Sequence, residues 1–437
     1  MKKIFFVIII FTAASFAQTK ILTLEESLRL GLENSKALKI SRAKRIGAEA
    51  KVTETTSQML PKFNLGASYT RLSSVPPFEV KLPSSPTPVK IQDAILNNYG
   101  VKLSLQQPLF TGFRLSSLKS AAEFYYEASL NDYNKDANET ALAIHSSFWN
   151  IYKSQKVLTL VEENLRQLES HLADTKKFLD NELVTKNDYL KLEVQFANVK
   201  LAKIESENNF KISQAAFNKV LGFNLTEQTE ISAAEISVEG IDFKYDELIG
   251  EALNAREELK AAQFRINAGE ETVNAANSTW FPSVYLFGNF YYSRPNQRIT
   301  PLKDEFKDTW DVGVSLNWDL WNWGYTSSQT TQAEQQLVQT QTAYEQIKES
   351  IELEVYQAYL KLISEFDKVE VNKKSVEQTE ENYRITSEKY NQQMATSTDL
   401  IDAEVSLLDA KTKLSNALVD FQLAKVRLEK STGRKIY

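Results

Sequence analysis

Residues 309–319 read Thr309-Trp310-Asp311-Val312-Gly313-Val314-Ser315-Leu316-Asn317-Trp318-Asp319. Trp310, Val312, Val314 and Leu316 alternate with Asp311, Gly313, Ser315 and Asn317, so an extended segment here has one greasy face and one polar or tiny face. Three other segments share the period. Phe63, Leu65, Ala67 and Tyr69 alternate with Asn64, Gly66, Ser68 and Thr70, and Tyr99, Val101, Leu103 and Leu105 with Gly100, Lys102, Ser104 and Gln106. Val284 to Tyr292 is aromatic on both faces and alternates least cleanly. The predicted strands, near 62–72, 98–108, 282–292 and 309–319, are each about ten residues long, enough for a tilted strand to cross a bilayer. Tyr69, Tyr99, Tyr291, Tyr292 and Trp310 gather at one end, and Phe110, Trp280, Phe281, Trp318, Trp321 and Trp323 at the other, as girdles at two lipid–water interfaces would. A soluble sandwich with one buried face gives the same alternation.

Outside these segments the period changes. Residues 113–221 and 325–432 contain neither Gly nor Pro, so each run reads as long helices with one polar reversal, near Asp180 to Asn187 and Asn391 to Thr398. Phe113 to Asp180 is 68 residues, roughly 100 Å if unbroken at 1.5 Å per residue. Leu158, Val161, Leu165, Leu168, Leu172 and Leu179 form a coiled-coil seam interrupted by Thr175; Val369, Val376, Thr379, Tyr383, Thr386 and Tyr390 form a weaker one. Shorter helices are expected at 24–59 and 245–279, the first opened by the capping box Thr23-Leu24-Glu25-Glu26.

The chain repeats itself. A shift of 221 lays Glu26 on Glu247, Leu38 on Leu259, Val52 on Val273 and Pro61 on Pro282; a shift of 211 lays Thr185 on Thr396, Asp188 on Asp399, Glu193 on Glu404 and Gly222 on Gly433. The difference falls in the Pro-rich stretch Val75 to Val89, so the first copy has the longer loop. Residues 18–437 therefore read as a single unit of two repeats, 22–222 and 243–433.

Of the 437 residues, 42% are hydrophobic and 25% charged, a composition too apolar for a disordered chain. A formal net charge of −6 argues against a nucleic-acid partner. The absence of Cys removes disulfides and thiolate sites, and His145 and His171 leave little imidazole chemistry, so no catalytic residue, cofactor or metal is expected. Both read as surface or interhelix residues. Met1-Lys2-Lys3, an apolar run from Ile4 to Ala14, and Ser15-Phe16-Ala17 read as a signal peptide, 1–17, cleaved before Gln18; an N-terminal anchor is the other reading. A sheet in hydrocarbon must close, because open edges leave backbone groups unpaired. Four strands cannot close around their own side chains, eight leave room for side chains only, and twelve leave water. A through-channel thus requires three copies.

The ordered set of features resembles the TolC-like outer-membrane efflux and secretion channels over nearly the whole mature chain. It rests on the duplication and on helix–Pro–strand junctions at Leu60-Pro61 and Phe281-Pro282. It also rests on the strand-to-helix turns Pro108-Leu109-Phe110-Thr111-Gly112 and Asp319-Leu320-Trp321-Asn322-Trp323-Gly324, and on Leu183-Val184-Thr185 with Asp188 and Met394-Ala395-Thr396 with Asp399 at the reversals. The resemblance implies a mixed, mainly α fold. Long coiled-coil helices would form a periplasmic α-barrel, and four strands per chain would enter a homotrimeric twelve-stranded barrel in outer-membrane lipid, in a Gram-negative-type envelope. It further implies a passive exit duct of a tripartite efflux or type I secretion system. Such a duct docks to a periplasmic adaptor (a membrane fusion protein) and an inner-membrane transporter, and exports small molecules or proteins. A stand-alone diffusion pore and an exported periplasmic coiled-coil scaffold are the alternatives.

Asp399 and Asp402 are three apart at the start of the last long helix and share a face. In a trimer they would make two acidic rings, the spacing of the family's periplasmic gate; carboxylates at a helix N-terminus also simply favour its dipole. The first copy has Lys191 where the second has Asp402. Asp188 and Tyr390 match the family's gate-latch positions, and Ala395 stands where some members have a basic residue. The adaptor-docking tips are Glu182, Leu183, Val184 and Thr185, and Gln393, Met394, Ala395 and Thr396. Glu182 and Gln393 replace the Gly that many members use for a left-handed turn. Lys102 and Asp311 line the lumen if the strands form a barrel, and Lys425, Arg427, Glu429 and Lys430 are expected on a solvated face.

Overall fold

The computed structural model describes residues 20–73, 76–92, 94–234, 236–238, 240 and 243–437; the expected signal peptide lies outside them. In chain order the elements are β1 (Lys20–Leu22), α1 (Leu24–Asn34), α2 (Lys36–Ser57), β2 (Lys62–Arg71), β3 (Phe78–Val80), β4 (Val89–Gln92), β5 (Asn97–Thr111), α3 (Arg114–Asp180) and α4 (Lys186–Leu221). They continue as β6 (Thr229–Ile231), α5 (Tyr245–Ala255), α6 (Glu257–Asn277), a 3₁₀ turn (Ser278–Trp280), β7 (Ser283–Arg294), β8 (Lys307–Asn317), α7 (Tyr325–Asn391) and α8 (Ser397–Ser431). Two compact units result. Of the described residues, the first holds those up to Arg42, Asp132–Leu259 and Ile347–Tyr437, and the second Ala43–Asn131 and Lys260–Gln346.

The first unit is mainly helical. Ile144, Phe148, Ile151, Phe217, Leu221 and Val419 form a buried core. Buried Gly31 sits so close that a Cβ there would lie 2.5 Å from Ile144 Cδ1. Farther along, Val161, Leu168, Leu192 and Val199 bury the seam read from the sequence, with Leu165, Leu172 and Ile401 against it. The expected continuous helices each break once, at Ser35 (φ −55, ψ 120) and Arg256 (φ −62, ψ 124), positions that the shift of 221 pairs. No Gly or Pro marks either break. Ser35 Oγ accepts the Leu38 N–H at 3.2 Å and starts the next helix. Arg256 is buried, its guanidinium held by Glu258 at 2.9 and 3.0 Å and by Glu354 Oε2 at 2.7 Å. Lys430 also bonds Glu354, at 3.0 Å, so it belongs to this ion cluster and not to the expected solvated face. The segment between the repeats supplies β6, which pairs in parallel with β1.

The second unit is built on a four-stranded antiparallel sheet in the order β2-β5-β7-β8. Its register places Leu65, Leu103, Phe290 and Trp310 across one face, and Gly66, Lys102, Tyr291 and Thr309 across the other. The greasy face is bare: Leu65 is 75% exposed and Trp310 71%. Pro108 is tolerated in β5 because the ladder to β2 ends at Gln106, and the register to β7 shifts between Pro108 and Phe110. The Pro-rich loop carries a small hairpin, β3 with β4, that composition alone did not indicate. No described helix is long and apolar enough to cross a membrane.

Candidate functional site

Two regions carry the candidate chemistry, one in each unit. In the first, the reversals α3–α4 and α7–α8 have the same backbone. Glu182 and Gln393 take left-handed φ values of 58 and 62. The Glu182 and Leu183 N–H groups bond the Leu179 and Phe178 carbonyls at 2.9 and 2.8 Å; those of Gln393 and Met394 bond the Tyr390 and Lys389 carbonyls at the same distances. This is the Schellman closure usually made with Gly. The left-handed turn is therefore retained without Gly. The following helices open with matched capping boxes. Thr185 Oγ1 donates to Asp188 Oδ2 at 2.6 Å and accepts the Asp188 N–H at 3.2 Å; Thr396 and Asp399 do the same at 2.7 and 3.2 Å. Hydrogen bonds from the Thr396 hydroxyl and backbone hold the Asp399 carboxyl below the usual range. Asp188 and Asp399 thus each fix the opening of their own helix.

Asp402, one turn on, is exposed, and at its first-copy equivalent Lys191 Nζ donates to Thr398 Oγ1 at 3.0 Å. Tyr390 is buried; its hydroxyl bonds Thr175 Oγ1 at 2.6 Å and its ring meets Phe178 edge-on at 6.2 Å. Thr175, the polar interruption in the seam, is there to meet that hydroxyl. Asp188 and Tyr390 accordingly bond to separate partners. Leu183 and Met394 stand out into solvent, and Val184 and Ala395 are half-buried.

Close by in sequence lies a cluster the sequence reading missed. Glu404 is buried, and burial pushes its carboxyl up to about 7. His171 Nε2 lies 3.2 Å from Glu404 Oε1 and 3.2 Å from the Tyr383 hydroxyl; its hydrogen bond goes to Tyr383, which leaves both Glu404 oxygens without one. Burial also lowers the His171 pKa, against the pull of Asp174. His145 is buried, Nε2 2.9 Å from the carbonyl of Ile436 in the tail after α8, whereas His171 bonds from α3 across to α7. The signal for Glu404 was a carboxylate at seam spacing between Leu400 and Leu407.

In the second unit the polar sheet face bears Lys102, Asn289, Tyr291 and Asp311. Asn289 Nδ2 donates to Asp311 Oδ1 at 2.7 Å, and Lys102 Nζ lies 5.3 Å from the Tyr291 ring centre. Lys102 and Asp311 thus share a face, as their alternation predicted. At the helix-side end of the sheet Trp321 and Trp323 are among the most exposed side chains described.

The model of a family described as outer membrane efflux protein matches the chain twice, over residues 28–223 and 248–434. The chain belongs to this family. The efflux channel is 24% identical over 410 residues to the outer membrane protein TolC of Vibrio cholerae, covering 92% of this chain and 88% of that one. Its fold is similar to the outer membrane channel CmeC of Campylobacter jejuni (TM-score 0.80, 16% identity, 94% and 85% covered). It is also similar to the outer membrane protein VceC of Vibrio cholerae (TM-score 0.76, 19% identity, 95% and 97% covered). Among the described residues no cluster of His, Cys, Asp or Glu could hold a metal ion.

Proposed function

We propose that three copies of this efflux channel pool their sheets into one closed twelve-stranded barrel in the outer membrane, and that their helices bound a duct through the periplasm. The observation that supports this most is the sheet itself: four strands, with β2 and β8 each paired on one side only, and a greasy face left bare. Open edges in hydrocarbon leave backbone groups unsatisfied, so such a sheet is completed by identical neighbours. Three copies give an interior wide enough for water.

The tips Glu182–Thr185 and Gln393–Thr396, bearing exposed Leu183 and Met394, are the docking points for a periplasmic adaptor, with an inner-membrane transporter supplying energy and choosing among small-molecule or protein cargo. Both tripartite efflux and type I secretion use this arrangement. Asp399 and Asp402 form two acidic rings at the periplasmic gate, which favour cations in a narrow pore. Asp402 is the more available, since Thr396 occupies Asp399 Oδ2. The latch works within the chain: Tyr390 fastens α7 to α3 through Thr175, and Asp188 fixes the opening of α4.

Purification from outer membranes should give a heat-modifiable trimer that conducts in planar bilayers. Asp402→Ala should raise conductance and weaken block by multivalent cations. A mature protein that stays a water-soluble monomer without detergent would refute the barrel; unchanged cation block would remove Asp402 from the gate.

A further inference from the structure

The loop 295–306 between β7 and β8 turns back over the sheet. Because β7 follows α6 and its 3₁₀ turn, this loop lies at the sheet's other end, away from the helices. Its Arg298 comes down on the polar face. The guanidinium sits 4.1 Å over the Tyr291 ring and its Nη1 is 2.6 Å from Asp311 Oδ2. Asp311 is the fifth residue of β8, roughly 14 Å from the strand's loop end at 3.4 Å per residue. The arginine therefore reaches well inside the rim.

The fold-back is braced. Asn296 is buried, donates to the Lys307 carbonyl at 3.0 Å and to Thr309 Oγ1 at 3.2 Å, and accepts the Arg298 N–H at 3.0 Å. Beneath the loop a cavity of about 460 Å³ opens against Ser68, Gly100 and Ser293, small residues that leave the space. On the greasy side a different set ties the same loop down: Arg294 pairs with Asp304 at 2.9 and 3.1 Å, and Phe306 stacks on Tyr292 at 5.1 Å. The two sets lie on opposite faces, so they can be perturbed separately.

We infer that Arg298 determines ion preference at the outer mouth, by holding the 295–306 loop folded inward across the exit. This rests on the barrel reading, in which the polar face is the lumen. Per chain, Arg298 and Lys102 flank Tyr291 with two positive charges against the single carboxylate of Asp311. Cations held over an aromatic face stay in place without full neutralisation. Repeated three times around a barrel, this makes a positively charged collar at the exit, opposite in sign to the acidic rings proposed at the periplasmic end. The collar disfavours cations where the gate favours them, and its width follows whether the loop is latched.

The chain has no Cys, so Arg298→Cys introduces its only thiol. Trimers reconstituted in planar bilayers should show higher conductance for Arg298→Cys than for wild type, and a reversal potential shifted toward cation preference. Adding a cationic thiol reagent from the loop side to channels already conducting should move the reversal potential back; an anionic reagent should move it farther. Asp311→Asn, which releases Arg298 from the polar face, should raise conductance, whereas Arg294→Ala, which leaves the Arg298–Asp311 pair in place, should leave it at the wild-type value. Wild-type conductance and selectivity in both Arg298→Cys and Asp311→Asn, with both reagents silent, would overturn the inference while the barrel stands. A wild-type trimer that does not conduct would overturn the barrel reading and this inference with it.

Discussion

Replacing Glu404 by Gln tests the buried cluster beside the tips. The carboxyl is buried without a hydrogen bond, and burial pushes its pKa up from an ordinary 4.5 to about 7. Each pKa unit is about 1.36 kcal/mol, so at pH 8 the ionised form costs about 3 kcal/mol relative to an unfolded chain. The sign follows from proton counting: between pH 4.5 and 7 the folded state keeps a proton that the unfolded state has lost. Stability from Glu404 is full below about 4.5 and falls as pH rises to 7. His171 runs the other way, because a lowered folded pKa means that stability is lost as pH falls below the ordinary 6.5. The two slopes oppose each other below 6.5, so wild type alone gives a muted profile, and the difference between wild type and Glu404→Gln isolates the carboxyl. Native-state hydrogen exchange of peptides covering residues 166–176 and 399–410, corrected for intrinsic rates, reads this locally. The variant should match wild type near pH 5 and exceed its opening free energy by up to about 3 kcal/mol at pH 8. A difference that does not change between those pH values would show that Glu404 titrates normally and that its burial is not felt.

Other expectations concern the backbone and the core. Glu182→Gly and Gln393→Gly should each stabilise the tips by about 1 kcal/mol, by relieving a left-handed side chain, whereas Glu182→Ala should not; tip hydrogen exchange distinguishes them. Thr185→Ala and Thr396→Ala should each cost about 1 kcal/mol through the lost cap, seen as faster exchange in the first turn of α4 or α8. Gly31→Ala should lower thermal stability by about 1–3 kcal/mol, since the new methyl overlaps Ile144. Arg256→Met, which strands Glu258 and leaves Glu354 to Lys430 alone, should cost roughly 3–5 kcal/mol, read as a lower thermal unfolding temperature.

Much of this fold was legible because it depends on local periodicity. The alternation from Trp310 to Leu316 fixes which side chains share a sheet face without any partner being known. The seam from Val161 to Leu172 and the capping box at Thr23 are likewise written within a few residues of themselves. What escaped depends on distant partners. Ser35 and Arg256 break helices with residues that most helices tolerate, and the reason for the second break lies at Glu354. Glu193 and Glu404 occupy equivalent places in the two repeats, yet one is exposed and the other buried, because only α8 presents its glutamate toward His171 and Tyr383. Arg298 sits in a loop whose composition says nothing of the direction in which it folds. At the tips the motif residues were readable, but their bonding was not: the hydroxyl that Tyr390 meets belongs to a residue that looked like a flaw in the seam.

The parity of the sheet has its own consequence. β2 leaves the helical end and β8 returns to it, so the first and last strands of each chain run in opposite directions. When one copy's β8 meets the next copy's β2, the join is one more antiparallel ladder, of the same kind as the three inside the chain. Such a join needs no dedicated side chains and fits any number of subunits equally well. In the proposed ring, hydrogen bonding at the rim would then not do the counting, and the number of copies would have to be set by contacts between the helical parts. A proline placed mid-strand in β2, on the N–H side facing the neighbour, should then leave the single chain folded and stop the ring from ever closing.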